Sequence, residues 1–169
     1  MLYNRDGFIP IFLFMKKVVF ISSGGGHLEE LLALKSLFND IDYTLITEKT
    51  DSTLFLKNKY KNVKYLVYGT QDHMLPYLFI FPFNIILSFI YFLIIRPDFV
   101  VSTGTHTAVP MCKIAHLFKK KIVWIETMAN ITTGTKAGKI IYPIADKFIV
   151  QWPELLKVYP KAECWGSIF

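Results

Sequence analysis

The stretch VVFISSGGGHLEELLALKSLF spans residues 18–38 and contains three kinds of segment in succession. The apolar, β-branched run at 18–22 is typical of a buried strand. Three glycines and His27 follow, and apolar residues then recur at helical spacing over 27–38, which indicates an amphipathic helix. A strand, a glycine-rich turn and a helix in this order predict the first unit of a parallel α/β sheet.

The same alternation of strands and helices continues along the chain. Apolar runs predict five further strands at 43–47, 63–68, 98–103, 121–126 and 147–152. Helical spacing predicts helices at 51–60, 108–118 and 138–145. We therefore expect one Rossmann-like α/β domain with a parallel sheet over residues 15–169, because the chain is too short for two such domains. Met15-Lys16-Lys17 looks like a natural start, so residues 1–14 are expected to be an extension without fold content or a short membrane-dipping arm.

Residues 74–95 break this pattern because they form an uncharged run of 22 residues, long enough to span a bilayer. A crossing would leave the strands on its two sides separated by the membrane, and the sheet could not assemble. Pro76 and Pro82 are also expected to break or kink a helix. We predict one or two helices that lie on the domain's face and dip into one leaflet, with a buried core helix as the alternative. The expected membrane contacts are Tyr77, Phe79, Phe81, Phe83, Phe89, Tyr91 and Arg96.

The composition and charge indicate which kind of molecule the protein binds. The net charge is +6, hydrophobic residues make up 53% and aromatic residues 16% of the chain. A basic surface suits nucleic acid, anionic lipid or an anionic small substrate, but only Arg5 and Arg96 are arginines, so we expect membrane lipid and no nucleic acid. Cys112 and Cys164 form no motif, which suits a reducing compartment, and we expect both to be buried. Neither a metal nor a cofactor is expected.

Two small-residue turns carry the expected binding chemistry. Glycines at the start of a helix let backbone amides approach a phosphate or diphosphate. The first turn is SSGGGH at 22–27, and the second is STGTHTAVP at 102–110, after another strand. Both turns should face one crevice, because the carboxyl ends of parallel strands share an edge of the sheet. The expected substrate-binding residues are Gly24, Gly25, Gly26, Ser102, Thr103, Gly104, Thr105 and His106.

Two residues at this edge are candidates for catalysis. His27 begins the first helix, where its imidazole could bind a phosphate or act as a general base towards a sugar hydroxyl. Glu126 ends a later strand, and its carboxylate could orient an acceptor or serve as the base. The alternatives are a solvent-facing histidine at a helix start and an ordinary solvated loop glutamate.

A dinucleotide site is a rival interpretation of the first glycine turn. Gly24 and Gly26 fit the start of G-x-G-x-x-G, and Glu48 stands about where a ribose-binding acid would. However, Glu29 occupies the position of the third glycine. A P-loop is excluded because no G-K-[ST] follows. Because Gly24, Gly26 and Glu48 fit the pattern but Glu29 does not, a nicotinamide-dependent oxidoreductase is the weaker alternative.

Four motifs together resemble one protein family: VVFISSGGGHLEELLAL, VVSTGTHTAVP, the IET strand end and GKIIYPIADKFIVQWPEL. The family is the membrane-anchor subunit of the split UDP-N-acetylglucosamine transferase of dolichol-linked oligosaccharide synthesis, with its bacterial relatives in capsular and exopolysaccharide synthesis. The chain also resembles, more distantly, the N-terminal half of the peptidoglycan lipid-intermediate glycosyltransferase. The positions that match the family's motifs are Gly24, Gly25, Gly26, His27, Gly104, Pro110, Glu126, Gly138 and Asp146. The chain departs from the family at Asn130, where an arginine often stands.

The resemblance implies the N-terminal, acceptor-side half of a glycosyltransferase-B fold. A separate subunit would bind the nucleotide sugar, and this chain would be inactive without it. The implied acceptor is a polyprenyl-diphosphate-linked sugar at the cytoplasmic face of the membrane. A non-catalytic membrane scaffold for a glycosyltransferase is the alternative.

Overall fold

Seven parallel strands form the centre of the protein in a computed structural model that describes residues 16–69 and 74–168. The strands are β1 (Lys17–Ser22), β2 (Asp42–Lys49), β3 (Val63–Val67), β4 (Phe99–Gly104), β5 (Lys121–Ile125), β6 (Lys147–Val150) and β7 (Glu163–Cys164). Their order is β3-β2-β1-β4-β5-β6-β7, and every pairing is parallel. The predicted single parallel α/β sheet is confirmed, while the expectation for residues 1–14 concerns a part of the chain outside the described residues.

Helices cover both faces of the sheet. They are α1 (Gly26–Ala33), α2 (Leu56–Lys59), α3 (Met74–Ile95), α4 (Val109–Leu117) and α5 (Lys136–Ile141), with 3₁₀ segments at Leu34–Asn39, His106–Ala108 and Pro153–Lys157. Alternate residues of β1 enter different cores: Val18 and Phe20 pack with α1 and α2, whereas Val19 and Ile21 pack with α3, α4 and α5. Burial on both faces explains why the strands read as continuous apolar runs.

Several elements differ from the sequence-based expectation. The helix predicted over 51–60 is limited to Leu56–Lys59. The helix predicted over 27–38 ends at Ala33 and continues as a 3₁₀ segment, which lets Phe38 stack on Tyr43 with ring centroids 4.4 Å apart. The helix predicted at 138–145 begins earlier, because the Thr135 hydroxyl caps it by accepting the Gly138 amide at 2.8 Å. Strand β7 was missed because its two residues, Glu163 and Cys164, show no apolar pattern.

Helix α3 is one continuous helix with the bounds of the apolar segment, and it connects β3 to β4 across the face of the sheet. The prediction that Pro82 would break a helix here is wrong. Pro82 lies on the exposed side of α3, and the helix tolerates the single hydrogen bond lost there. Only 17% of the span Leu78–Ile95 is buried, which contradicts the buried core helix. By length and composition α3 could cross a membrane, but both strands that it joins belong to one sheet.

The two cysteines occupy different environments. Cys112 is buried on α4, and burial raises the pKa of its thiol to about 12, so the thiol is unreactive at neutral pH. Cys164 is exposed, so the expectation that it would be buried is wrong. It lies on the outermost strand, β7, where one side of the sheet ends.

Candidate functional site

The two small-residue turns meet where β1 and β4 lie side by side. Ser22 pairs with Gly104 in the sheet, and the Ser23 amide donates to the Gly104 carbonyl at 3.2 Å. The sheet order reverses direction between these two strands, which is the position where open α/β sheets form their ligand crevice. The predicted meeting of the two turns is therefore confirmed.

His27 is held between the turns. Its Nδ1 lies 2.8 Å from the Thr103 carbonyl oxygen, and the Thr103 hydroxyl donates to the His27 carbonyl at 2.6 Å. Because a carbonyl only accepts, Nδ1 carries the ring hydrogen, and Nε2 is left as the basic nitrogen. The ring is half-buried, so it is not the freely solvent-facing side chain of the alternative interpretation.

Gly104 fits closely against this imidazole. Its φ is +107°, and a Cβ atom added there would lie 3.0 Å from His27 Nδ1. Both the backbone conformation and the approach of the ring therefore require glycine at this position. This contact explains why a glycine stands in the second turn.

A pocket of about 820 Å³ opens beside these turns at the carboxyl edge of the sheet. Of the expected binding residues, Gly24, Gly25, Thr105 and His106 line it, whereas Gly26, Gly104 and the catalytic candidate His27 do not. Ser102 and Thr103 are buried, and the Ser102 hydroxyl accepts the Gly104 amide at 3.0 Å, so both hydroxyls shape the turn from beneath. The lining residues that sequence reasoning did not assign to the site are Ser23, Glu48, Thr50, Ser52, Tyr68, Gly69, Thr135, Lys136 and Ala137.

Glu48 ties the two turns together. One carboxylate oxygen accepts the Gly24 amide at 3.3 Å, and the other accepts the Thr107 hydroxyl at 2.6 Å. The side chain is buried, but it forms part of the pocket wall. Its oxygens are thus already engaged within the protein, which leaves the dinucleotide interpretation without the free carboxylate that a ribose would need.

Glu126 lies beneath the pocket and is 1% exposed, so it is not the solvated loop residue of the alternative interpretation. Its oxygens accept the Trp124 indole N–H at 2.8 Å and the Thr135 amide at 2.6 Å. Tyr159 lies 3.5 Å away, and burial together with the Glu126 charge raises the pKa of its hydroxyl. Glu126 therefore holds the start of α5, and with it Lys136, against the pocket. Its role in catalysis stays a prediction.

Gly138→Ala should destabilise this support by about 1–3 kcal/mol, the usual cost of overpacking. An added Cβ would overlap the Glu126 Oε2 atom and crowd the Tyr159 hydroxyl. Thermal unfolding measures the effect. Gly26→Ala is the matched control, because a Cβ there meets nothing within 4 Å. Equal melting temperatures for the two variants would contradict the tight packing around Glu126.

Helix α3 has its polar side chains on the side that faces the sheet and its apolar side chains on the exposed side. Its polar side chains face the sheet: Asn84 accepts the Val67 amide at 2.9 Å and donates to the Val67 carbonyl at 2.8 Å, and the Tyr91 hydroxyl donates to the Tyr65 carbonyl at 3.0 Å. Its exposed residues are apolar: Leu78, Phe79, Phe83, Ile85, Ile86, Phe89, Ile90, Leu93 and Ile94. A helix on a water-facing surface has the opposite arrangement.

The expected membrane contacts divide accordingly. Phe79, Phe83, Phe89 and Arg96 are exposed. Phe81 is half-buried, and the Tyr91 hydroxyl points to the sheet rather than outwards. The side chain of Tyr77 lies outside the described part of the chain.

Sequence reasoning missed the end of α4, which extends the apolar surface. Leu117 and Phe118 are exposed there, and the Phe118 ring packs on Phe92 of α3 with centroids 5.0 Å apart. Three lysines follow at 119–121, of which Lys120 pairs with Asp98 and Lys121 with Asp146. An apolar surface beside lysines is the arrangement expected at an anionic membrane.

Comparison with known proteins agrees with these features. Residues 71–168 match the family described as "Oligosaccharide biosynthesis protein Alg14 like". The UDP-N-acetylglucosamine transferase subunit ALG14 of Debaryomyces hansenii is 31% identical over 175 residues, covering 89% of this chain and 75% of that protein. The human subunit of the same name is 39% identical over 80 residues, and the match covers 44% of this chain and only 37% of the human protein.

Solved structures share the fold at low sequence identity. MurG of Acinetobacter baumannii has a TM-score of 0.67 at 17% identity, covering 82% of this chain and 42% of that one. The UDP-GlcNAc 2-epimerase of Methanocaldococcus jannaschii has a TM-score of 0.64 at 15% identity, covering 86% and 42%. This sheet thus corresponds to less than half of each larger protein. On the family match and the yeast relative together, the chain belongs to the Alg14-like family of oligosaccharide biosynthesis proteins.

Proposed function

We propose that this chain is the acceptor-side, membrane-associated subunit of a two-chain glycosyltransferase. Its acceptor is a polyprenyl-diphosphate-linked sugar at the cytoplasmic face of the membrane, in lipid-linked oligosaccharide, capsule or exopolysaccharide synthesis. A separate chain binds the UDP-sugar and completes the active site. The observation that carries the proposal is the combination of a pocket at the β1–β4 crevice with an apolar helix on the same small domain.

The pocket has groups suited to both parts of such an acceptor. The first amides of a helix have no partner within the helix, and Gly24 and Gly25, which directly precede α1, line the pocket, so the start of α1 adjoins it. Lys136 adds a positive charge to the pocket lining. Both oxygens of Glu48 are already bonded within the protein, whereas the hydroxyl groups of Thr50 and Ser52 on the pocket lining suit the hydroxyl groups of a sugar. We therefore assign the diphosphate to Gly25 and Lys136, and the sugar to Thr50 and Ser52.

Helix α3 supports the assignment of a lipid. Asn84 in its middle holds both backbone groups of Val67, and the next two residues, Tyr68 and Gly69, line the pocket. The wall of the pocket and the apolar helix are thus one packed unit. With α3 in the outer part of a leaflet, an acceptor held at the bilayer surface has a short path from lipid to pocket.

The coverage of the structural relatives supports the need for a second chain. The sheet corresponds to 42% of the MurG chain, and Alg14-like relatives are described as subunits. In this proposal His27 Nε2 accepts a proton from an acceptor hydroxyl, and the nucleotide sugar comes from the partner across the crevice.

A transferase assay tests the proposal. Membranes that carry the lipid-linked acceptor are incubated with labelled UDP-sugars, with this chain alone, with the protein encoded beside it alone, and with both. We expect transfer only when both chains are present. Full activity of the neighbouring protein alone, unchanged by this chain, would reject the two-chain enzyme. Full activity of the pair with a Gly25→Ala/Gly26→Ala variant that still brings the neighbour to the membrane would favour the scaffold alternative.

A further inference from the structure

Glu30 lies on the amphipathic helix α1, where an acidic side chain is expected to face solvent, but it is buried. It lies three residues after His27 on α1, and its side chain is only 3% exposed. Its Oε1 atom accepts the Thr127 hydroxyl at 2.8 Å and the Met128 amide at 2.9 Å. Burying a carboxylate is costly unless its oxygens are bonded or paired, so the surroundings of its second oxygen are informative.

That second oxygen faces His27. Among the described residues Oε2 is buried and has no hydrogen-bond partner, and it lies 3.8 Å from His27 Nδ1. Nδ1 already donates to the Thr103 carbonyl at 2.8 Å, so the carboxylate sits beside the N–H without taking its proton. A negative charge at this distance and away from water stabilises positive charge that develops on the ring.

We propose that Glu30 is a positioning residue for His27. It holds the imidazole with Nε2 towards the acceptor and stabilises the imidazolium formed during transfer. This inference rests on the proposed function, in which His27 is the base. In that step the acceptor hydroxyl oxygen bonds to the anomeric carbon of the donor, and the bond from that carbon to the nucleoside diphosphate breaks. The hydroxyl proton moves to Nε2, and Glu30 exchanges no proton.

The remaining charges around the ring do not replace Glu30. The strand end that contacts the ring, Thr103 and Gly104, is uncharged. The other ionisable groups nearby are Glu48, His106 and Lys136, which belong to the adjoining pocket wall. All three are unchanged in the variants below, so a difference in activity between those variants measures the effect of the Glu30 charge.

The test compares Glu30→Gln with Thr127→Val in the two-chain complex. Glutamine keeps an oxygen to accept from Thr127 and Met128 but removes the charge. Valine at position 127 removes one of the same hydrogen bonds and keeps the charge. We expect Glu30→Gln to lower kcat at least about tenfold with little change in KM, and to move the rising limb of the pH–rate profile to lower pH. Thr127→Val should leave the position of that limb unchanged.

A double variant separates positioning from a structural role. With His27→Ala already present, Glu30→Gln should lower activity no further, because its effect acts through the imidazole. An equal loss in both backgrounds, or the same pH profile for Glu30→Gln and the wild type, would overturn the proposal.

A measurement that does not depend on transferase activity tests the role of Glu30 separately from the proposed function. Nitrogen NMR of the full chain in nanodiscs follows the titration of the His27 ring directly. We expect a lower midpoint in Glu30→Gln than in the wild type, because a neighbouring negative charge is removed, and no such change in Thr127→Val. An unmoved midpoint would reject Glu30 as the positioning group, whereas a shifted midpoint in a complex that transfers no sugar would reject only the proposed function.

Discussion

Replacing His27 with alanine should lower the transferase activity of the two-chain complex at least tenfold, and a positioned base commonly contributes about 10²–10⁴-fold. The reason is the fixed direction of the ring. Nδ1 is committed to the Thr103 carbonyl at 2.8 Å, which leaves Nε2 as the one ring nitrogen able to take the acceptor proton. The loss should appear in kcat, measured by initial rates at saturating acceptor and donor.

The matched control for this variant is His116→Ala. His116 is an exposed histidine in the last turn of α4, outside the pocket. It should retain activity, and both variants should still bind the partner chain in a pull-down assay. The Thr103 hydroxyl can keep its hydrogen bond to the backbone carbonyl of residue 27, so we expect His27→Ala to fold. Near-normal transfer by a folded His27→Ala complex would remove His27 as the base.

Placing glutamates at Ile86 and Ile94 should abolish most membrane binding. Both isoleucines are exposed on the outer side of α3. Each side chain transferred from water to lipid contributes about 1.5–3 kcal/mol, so the double variant should bind vesicles at least about a hundredfold more weakly. Co-sedimentation with vesicles of phosphatidylcholine and phosphatidylglycerol measures the loss.

Single substitutions provide a matched comparison for the membrane surface. Ile86 is 58% exposed on α3, and Ile140 is 46% exposed on α5, on a different part of the surface. Ile86→Glu should weaken vesicle binding, whereas Ile140→Glu should not. Equal binding by the two variants would contradict α3 as the membrane-contacting element.

The sheet itself could be predicted from the sequence, because its inner strands are buried on both faces and their apolar runs are nearly continuous. The six longer strands were found in this way, and β7 was not, since Glu163 and Cys164 lie at an exposed edge. The glycine turns were also predictable, because short-range sequence patterns report on backbone conformation. The meeting of the two turns followed from the general rule for parallel strands.

The charged parts of the site could not be predicted in the same way. Glu30, Glu48 and Glu126 look alike in sequence: each is an acid near a strand end or on a helix. Their different roles depend on residues far along the chain, namely Thr127 for Glu30, Thr107 for Glu48 and Tyr159 for Glu126. Hydrogen bonds of this kind arise only when the strands are brought together.

The exposed apolar surface of α3 also depends on hydrogen bonds between residues that are distant in sequence. The uncharged run from 74 to 95 determined that a long apolar helix would form, but composition alone did not separate a core helix from a lipid-facing one. Asn84 and Tyr91 decide the matter, because their bonds to β3 turn the polar face of α3 inwards and leave its apolar face outside. Local pattern thus determined the elements and their order. Tertiary structure decided which side chains lie beside charged groups, which are buried and which stay exposed on α3, because those properties depend on contacts between distant residues.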